Sequence, residues 1–360
     1  MPGGPDQPRL PEDVAAQQVP VGRSYQVDRR ATADQAAALP DHPAPWSRAD
    51  LRQRLDRLPD WHPSRPDHLD RSRGNRVSGE PDGPPERLKP LTDTEHADRV
   101  QDIRDRLADA RNGGLATDGR YLDPRDNRWT TERQIIHRKL VDDLYESAAD
   151  VPDDQRAIIA GGLGGAGKST VLDKHADVDR SQYLTINPDD IKEGMAGRGL
   201  IPAVEGLSPM EASDLVHAES SYVAKRLARR AMDDGKNIIW DITMSSTEST
   251  EQRLDDLDRA GYSTTGIFVN IDIAEAVRRA DARHRKGHED YRAGSGFGGR
   301  YVPREVIEAQ ADPEWGNRNR RTFEQVKSRF MDWAVYGNSV AGRDPELIEA
   351  GHGAEHEEKR

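Results

Sequence analysis

The chain has 360 residues, 34% of them apolar and 33% charged, with a formal net charge of −12 and no cysteine. That is too polar for even packing along the whole length, so part of the chain is expected to stay unfolded. The charge argues against nucleic acid or an anionic membrane as the main partner. The missing cysteines exclude disulfides, thiolate zinc sites and a cysteine nucleophile, and no apolar run approaches the roughly 20 residues of a membrane span.

Residues 1–92 carry proline throughout, alternate Arg with Asp and are poor in apolar side chains. Such a segment cannot bury enough surface to offset its ordering entropy. It reads as a disordered arm, with a short helix at Ser47–Leu58 beside Trp46 and Trp61 as an alternative, partner-binding anchor. The opening Met-Pro-Gly-Gly-Pro-Asp lacks a basic-then-apolar signal. This predicts a cytoplasmic protein; delivery to another cell by a specialised system would leave no trace in such a sequence.

Residues 93–150 are expected to form a helical extension. Thr92-Asp93-Thr94-Glu95 has the hydroxyl and the glutamate of a capping box. Val100, Ile103 and Leu107 then recur at helical spacing, and Asn112-Gly113-Gly114 ends the helix. A second helix from Thr131 to Ala148 would turn Ile135, Ile136, Leu140, Val141 and Leu144 to one face.

From residue 151 to 345 short apolar runs alternate with amphipathic segments. Ala157–Ala160, Tyr183–Ile186, Asn237–Trp240 and Thr265–Val269 read as buried strands, and the longest segment between them, from Pro209 to Asp234, reads as a helix. The pattern predicts an α/β domain, a parallel sheet covered on both faces in three layers. Residues 346–360 are glycine- and charge-rich and are expected to be a tail.

Gly162-Leu163-Gly164-Gly165-Ala166-Gly167-Lys168-Ser169 matches G-x-x-x-x-G-K-[ST], with a strand before it and helix-capable Thr170-Val171-Leu172 after it. The glycines let backbone N–H groups converge on phosphate oxygens, and the following helix adds its positive end. Lys168 would reach the β- and γ-phosphates and the Ser169 hydroxyl would bind Mg²⁺. The motif specifies a nucleotide, not a reaction.

Further residues point to phosphoryl transfer. Asp189, in Asn187-Pro188-Asp189-Asp190 at a strand's carboxyl end, is placed to take a proton from an attacking hydroxyl. Asp241 ends the strand Ile238-Ile239-Trp240 as a Walker-B-like candidate for Mg²⁺, and Thr243 would face the substrate cleft. Glu219 interrupts an apolar helix face, so it needs either a cleft or a partner. Arg278, Arg279, Arg283 and Arg285, followed by Gly294–Gly299 and Arg300, read as a mobile lid that brings positive charge to the phosphoryl group.

These motifs in this order resemble the zeta toxin family of P-loop kinases, which is related to chloramphenicol phosphotransferase. The resemblance covers Gly162–Ser169, Asn187–Asp189, His217–Glu219, Asp241–Thr243 and Arg279–Arg300, closing on Asp332–Ser339. It implies an ATP-dependent kinase of the 3′-hydroxyl of UDP-N-acetylglucosamine, a toxin that blocks use of a cell-wall precursor and is restrained by an antitoxin. It implies Asp189 as base, Lys168, Arg279, Arg283 and Arg300 on phosphate, and Glu219 and Thr243 on the sugar nucleotide. Asn187 departs from the family's aspartate, and the Lys286–Gly299 insertion lengthens the lid. The residues themselves leave open another acceptor, such as an NAD ribose hydroxyl or an antibiotic, and a nucleotide-binding module without transfer.

Overall fold

The structure, a computed structural model, describes residues 90–340 and 342–353, all within one unit running from Pro59 to Arg360. The arm up to residue 89, with Ser47–Leu58, Trp46 and Trp61, lies outside the described residues, as does 354–360 of the tail.

Helix α1 (Asp93–Asn112) starts on the Thr92–Glu95 capping box and stops at Gly113. Next come α2 (Thr117–Tyr121), a hairpin of β1 (Leu122–Asp123) and β2 (Arg128–Trp129), and α3 (Thr131–Glu146), capped by Thr130. The inner face of α3 departs from the apolar periodicity. Leu140 and Val141 are buried, but so are Arg133 and His137, while Ile135 and Ile136 are only half-buried.

The core is a six-stranded sheet. Its strands are β3 (Arg156–Gly161), β4 (Leu184–Ile186), β5 (Ile238–Asp241), β6 (Ser263–Asn270), β9 (Asp332–Gly337) and β10 (Glu346–His352). A small hairpin of β7 (Ala311–Asp312) and β8 (Gly316–Asn317) lies apart from it. The sheet order is β10-β9-β6-β3-β5-β4, parallel except at β10. From β3 the chain runs outward to β4 and back through β5, then crosses β3 to β6 and β9 on the other side. That reversal opens a crevice at the carboxyl ends of the strands, where open α/β sheets bind ligands.

Seven helices cover the sheet: α4 (Lys168–Lys174), α5 (Pro188–Gly197), α6 (His217–Asp233), α7 (Thr247–Arg259), α8 (Ile273–Arg292), α9 (Arg304–Glu308) and α10 (Arg318–Val326). Alternate residues of β3 face opposite ways, as the pleat requires. Ile159 packs with Met195 of α5, Leu227 of α6, Leu257 of α7 and Phe323 of α10, and this core also takes Ile103 of α1 and Leu140 of α3. Ile158 and Ala160 pack with Val171 of α4 and Val277 of α8. The result is the three-layer P-loop architecture with a parallel sheet.

The tail expected from residue 346 is in part a strand. β10 pairs antiparallel with β9, and Glu349 takes the Arg320 guanidinium at 2.5 Å. Main-chain pairing at a sheet edge needs no apolar pattern, which is why charge and glycine content misled here.

Candidate active site

The phosphate loop joins β3 to α4. Gly165 and Gly167 both have φ of 85°, the left-handed region that a Cβ penalises. A Cβ on Gly167 would also run into the Asn338 amide. Asn338, just past β9, donates Nδ2–H to the Ala166 carbonyl at 2.7 Å, and Arg279 donates to the Asn338 carbonyl at 2.8 Å. These two side chains buttress the loop from behind. Asn338's role was not legible in the sequence, because the contact spans 172 residues.

Lys168 points into the cradle. Its ammonium donates to the carbonyl of Gly162 at 2.9 Å and pairs with Asp241 at 3.4 Å. The other oxygen of Asp241 accepts from Asn187 Nδ2 at 3.2 Å. Asn187 also caps α5, accepting from the Asp189 amide at 2.8 Å. The departure from an aspartate thus places a neutral donor where a carboxylate would face Asp241. Leu163 and Ala166 are buried supports of the loop, and Ser169 and Thr170 are exposed on the first turn of α4. Thr243 is exposed just beyond β5, donating its hydroxyl to Ser245 at 3.2 Å.

Mg²⁺ keeps several waters and takes only one or two protein oxygens beside the phosphates. The exposed Ser169 hydroxyl and the Asp241 carboxylate, with one oxygen held only by a 3.2 Å amide contact, fit that demand.

Asp189 sits in the first turn of α5 between two cations. One oxygen pairs with Arg300 of the lid and the other with Lys192 at 3.3 Å. Burial alone would raise its pKa, but Arg300 and Lys192 outweigh it and hold the carboxyl below its ordinary value. Asp190 goes the other way. Although Asp190 is exposed at the surface, partial desolvation, with Asp241, Glu193 and Asp189 nearby, pushes it up to about 6. Two neighbouring carboxyls are thus driven apart in acidity, the pattern from which acid–base roles are assigned.

The four arginines of α8 separate into different jobs. Arg278 pairs with Glu275 on the surface. Arg279 also binds Glu275, at 2.7 Å, and leans on the loop beside Gly165. Arg285 turns away to Leu91 and Asp93. Arg283 makes no hydrogen bond or ion pair among the described residues. Arg283 is exposed, and desolvation and Arg300 lower its pKa, opposed by Asp189, Glu193 and Asp241. Arg300 completes the set: its guanidinium lies 4.0 Å from where a Cβ on Gly164 would be. Arg279 and Arg300 therefore lie against the phosphate loop, whereas Arg278 and Arg285 do not, and no contact ties Arg283 to the loop among the described residues.

Two expectations change. Glu219 does not reach the crevice. It is fully buried in α6 with His137 Nε2 at 2.6 Å and Arg133 at 3.0 and 3.1 Å, both from α3. An acid on an apolar face needs a cleft or a partner, and here it has partners. Of the glycines in 294–299, Gly298 and Gly299 serve close packing, while Gly294 and Gly296 have positive φ and open space around them. A Cβ on Gly298 would strike Ser208, one on Gly299 would strike the His284 carbonyl, and Met210 donates its amide to Phe297 at 2.9 Å. Gly299→Ala should therefore push Arg300 off its mark. The expected result is a loss of about 100-fold in kcat/KM, the cost of roughly 1 Å of misplacement, with the far-ultraviolet spectrum unchanged.

The zeta toxin family model matches residues 142–336, more than half of the chain, and the chain belongs to that family. No curated protein matches it. Among solved structures it is similar to AvrRxo1-ORF1:AvrRxo1-ORF2 with sulphate ions, at 18% identity over 64% of this chain and 73% of that one, TM-score 0.48. The AvrRxo1-ORF1:-ORF2 structure with ATP gives 18% identity over 65% and 73%, TM-score 0.48. The PezAT chromosomal toxin–antitoxin system of Streptococcus pneumoniae gives 14% identity over 62% and 83%, TM-score 0.45. The family assignment rests on the family model.

Proposed function

We propose that this zeta toxin family member transfers the γ-phosphate of ATP to a hydroxyl of a small-molecule acceptor. One observation carries the reading: Asp189, a carboxylate held ionised, is paired to Arg300, which also lies against the phosphate loop. A base and a charge stabiliser thus meet beside the loop that would hold the γ-phosphoryl group, and the nucleotide would have to part them. Binding of the nucleotide would draw Lys168 from Asp241, and Arg300 from Asp189, onto phosphate oxygens. The freed Asp189 then accepts the acceptor's hydroxyl proton as the new O–P bond forms and the bond to ADP breaks. Ser169 and Asp241 would hold Mg²⁺, which supplies charge neutralisation on the phosphates.

The acceptor implied by the family is the 3′-hydroxyl of UDP-N-acetylglucosamine, with an antitoxin protein as restraint. Thr243 remains open to that substrate, but Glu219 is already occupied, and this favours a second reading in which another acceptor is used. The buried Glu219 carboxylate would otherwise have to break three contacts to reach a ligand. No helix among the described residues is long and apolar enough to cross a membrane; a cytoplasmic site of action, where ATP is available, fits the chemistry.

Incubation with Mg-ATP and a metabolite panel that includes UDP-N-acetylglucosamine, NAD and aminoglycoside or phenicol antibiotics decides the acceptor. Lys168→Ala should cut kcat by about 10²–10³-fold, as loss of one preorganised donor does. Transfer at the wild-type rate in that variant would overturn the role given to the loop.

A further inference from the structure

The lid is gripped by a part of the chain that precedes the family match. Between Leu91 and Arg104, at the start of α1, a series of side chains and backbone groups holds lid residues on both sides of Arg300. Upstream of it, Arg285 donates to the Leu91 carbonyl at 2.8 Å and pairs with Asp93 at 2.9 Å. His96 Nε2 meets His284 Nδ1 at 3.0 Å. Downstream, Arg104 donates Nε–H to the Tyr301 hydroxyl at 2.6 Å and binds both oxygens of Glu305 at 2.6 and 2.7 Å.

A buried carboxylate anchors the upstream side of these contacts, at His284. Glu211, 1% exposed, takes Arg99 at 2.5 and 3.1 Å, His288 at 3.0 Å and His284 at 3.3 Å. It also accepts the Ser208 amide and hydroxyl at 2.8 and 2.9 Å. Burial would raise its pKa, but the bonds from His284, Arg99 and Ser208 keep it well below the usual carboxylate range. An ionised Glu211 needs the proton of His284 on Nε2. Nδ1 of His284 is then left to accept from His96, so the network fixes both tautomers. Isolated exposed ion pairs contribute little, but a fully satisfied buried network holds its members in one geometry.

Among the described residues Arg300 itself pairs only with Asp189, which it must exchange for phosphate during transfer. Its chain neighbour Tyr301 is what α1 holds. We propose that α1 is a clamp on the lid, in which Arg104 is the positioning residue that sets Arg300 through Tyr301 and Glu305. The proposal rests on the phosphotransfer reading for its kinetic consequence, not for the contact itself.

The test uses the full chain and two readouts. Arg104→Met keeps the aliphatic stem and removes the fork. It should lower kcat about tenfold with KM for ATP changed less than about threefold, the signature of an interaction made mainly in the transition state. Arg104→Lys, which cannot make the forked contact, should recover only part of the loss. In an Arg300→Ala background, Arg104→Met should cost less than about twofold, because two residues that act as a unit are not additive. An equal loss in both backgrounds, or wild-type kcat in Arg104→Met, overturns the clamp. Amide hydrogen exchange gives the second readout: Arg104→Met should speed exchange over residues 300–306 and leave β3 and β5 unchanged. If the wild-type chain phosphorylates no acceptor, the phosphotransfer reading fails, and the exchange result alone then decides the clamp. Unchanged exchange over 300–306 would sink it.

Discussion

Asp189→Asn should reduce kcat about 10²–10⁴-fold, the range spanned by loss of a general base, while nucleotide binding stays equal or tightens. The asymmetry follows from the two cations. With the carboxylate gone, Arg300 loses the partner that competes with phosphate for it. Lys192, whose side chain is 6% exposed, loses the one carboxylate it pairs with among the described residues, and burial already lowers its pKa. Nucleotide titration and turnover measured on the same preparation check both halves. Weaker ATP binding with an equal fall in turnover would mean that Asp189 only organises the loop.

The pH profile separates Asp189 from its neighbour. The ionised base is the active form, so kcat/KM rises with pH through the pKa of the free enzyme's base. Arg300 and Lys192 hold Asp189 below the ordinary carboxylate value, so its limb belongs below that range. Asp190 is pushed up to about 6. A limb near pH 6 that disappears in Asp190→Asn would transfer the base role to Asp190. Stability follows the same sign for Asp189: its depressed pKa contributes above the unfolded value and is lost as pH falls through the folded one.

The parts of the site that are local in sequence were legible there. The phosphate loop is a contiguous motif between a strand and a helix. Asp241 ends a strand and Asp189 follows closely after one, both strands having plain apolar runs, and Arg279 and Arg283 lie one turn apart. What was hidden depends on distant partners. Arg133 and His137 look like polar interruptions of α3, and only the fold shows a carboxylate 86 and 82 residues away that buries them. Glu219 was ambiguous for the same reason, since one acid on an apolar face does not say which neighbour satisfies it. Asn338 acts through backbone contacts with the loop, which side-chain type does not announce. The lid glycines suggested freedom, but two of them, Gly298 and Gly299, are needed where backbone packs against Ser208 or against the His284 backbone.

Glu219→Ala should destabilise the fold by about 3–5 kcal/mol, because removing one partner strands a buried cation. Arg133 has 10% of its side chain exposed and would keep only a long contact to the Leu200 carbonyl at 3.4 Å and the Tyr121 ring at 4.6 Å. His137 would keep its packing against Trp129 and Tyr222 but lose its 2.6 Å bond. At roughly 2–4 °C per kcal/mol for a domain of this size, the melting midpoint should fall by about 10 °C. Pairing Glu219→Leu with Arg133→Met should recover much of the loss, since an apolar replacement of a whole buried ion pair is often neutral or better. A role in binding the acceptor predicts the opposite: Glu219→Gln would raise the acceptor KM with the melting midpoint unmoved. With all three of Glu219's contacts made by α3, the extension is part of the folding unit of the P-loop domain, and α3 should not be removable without unfolding it.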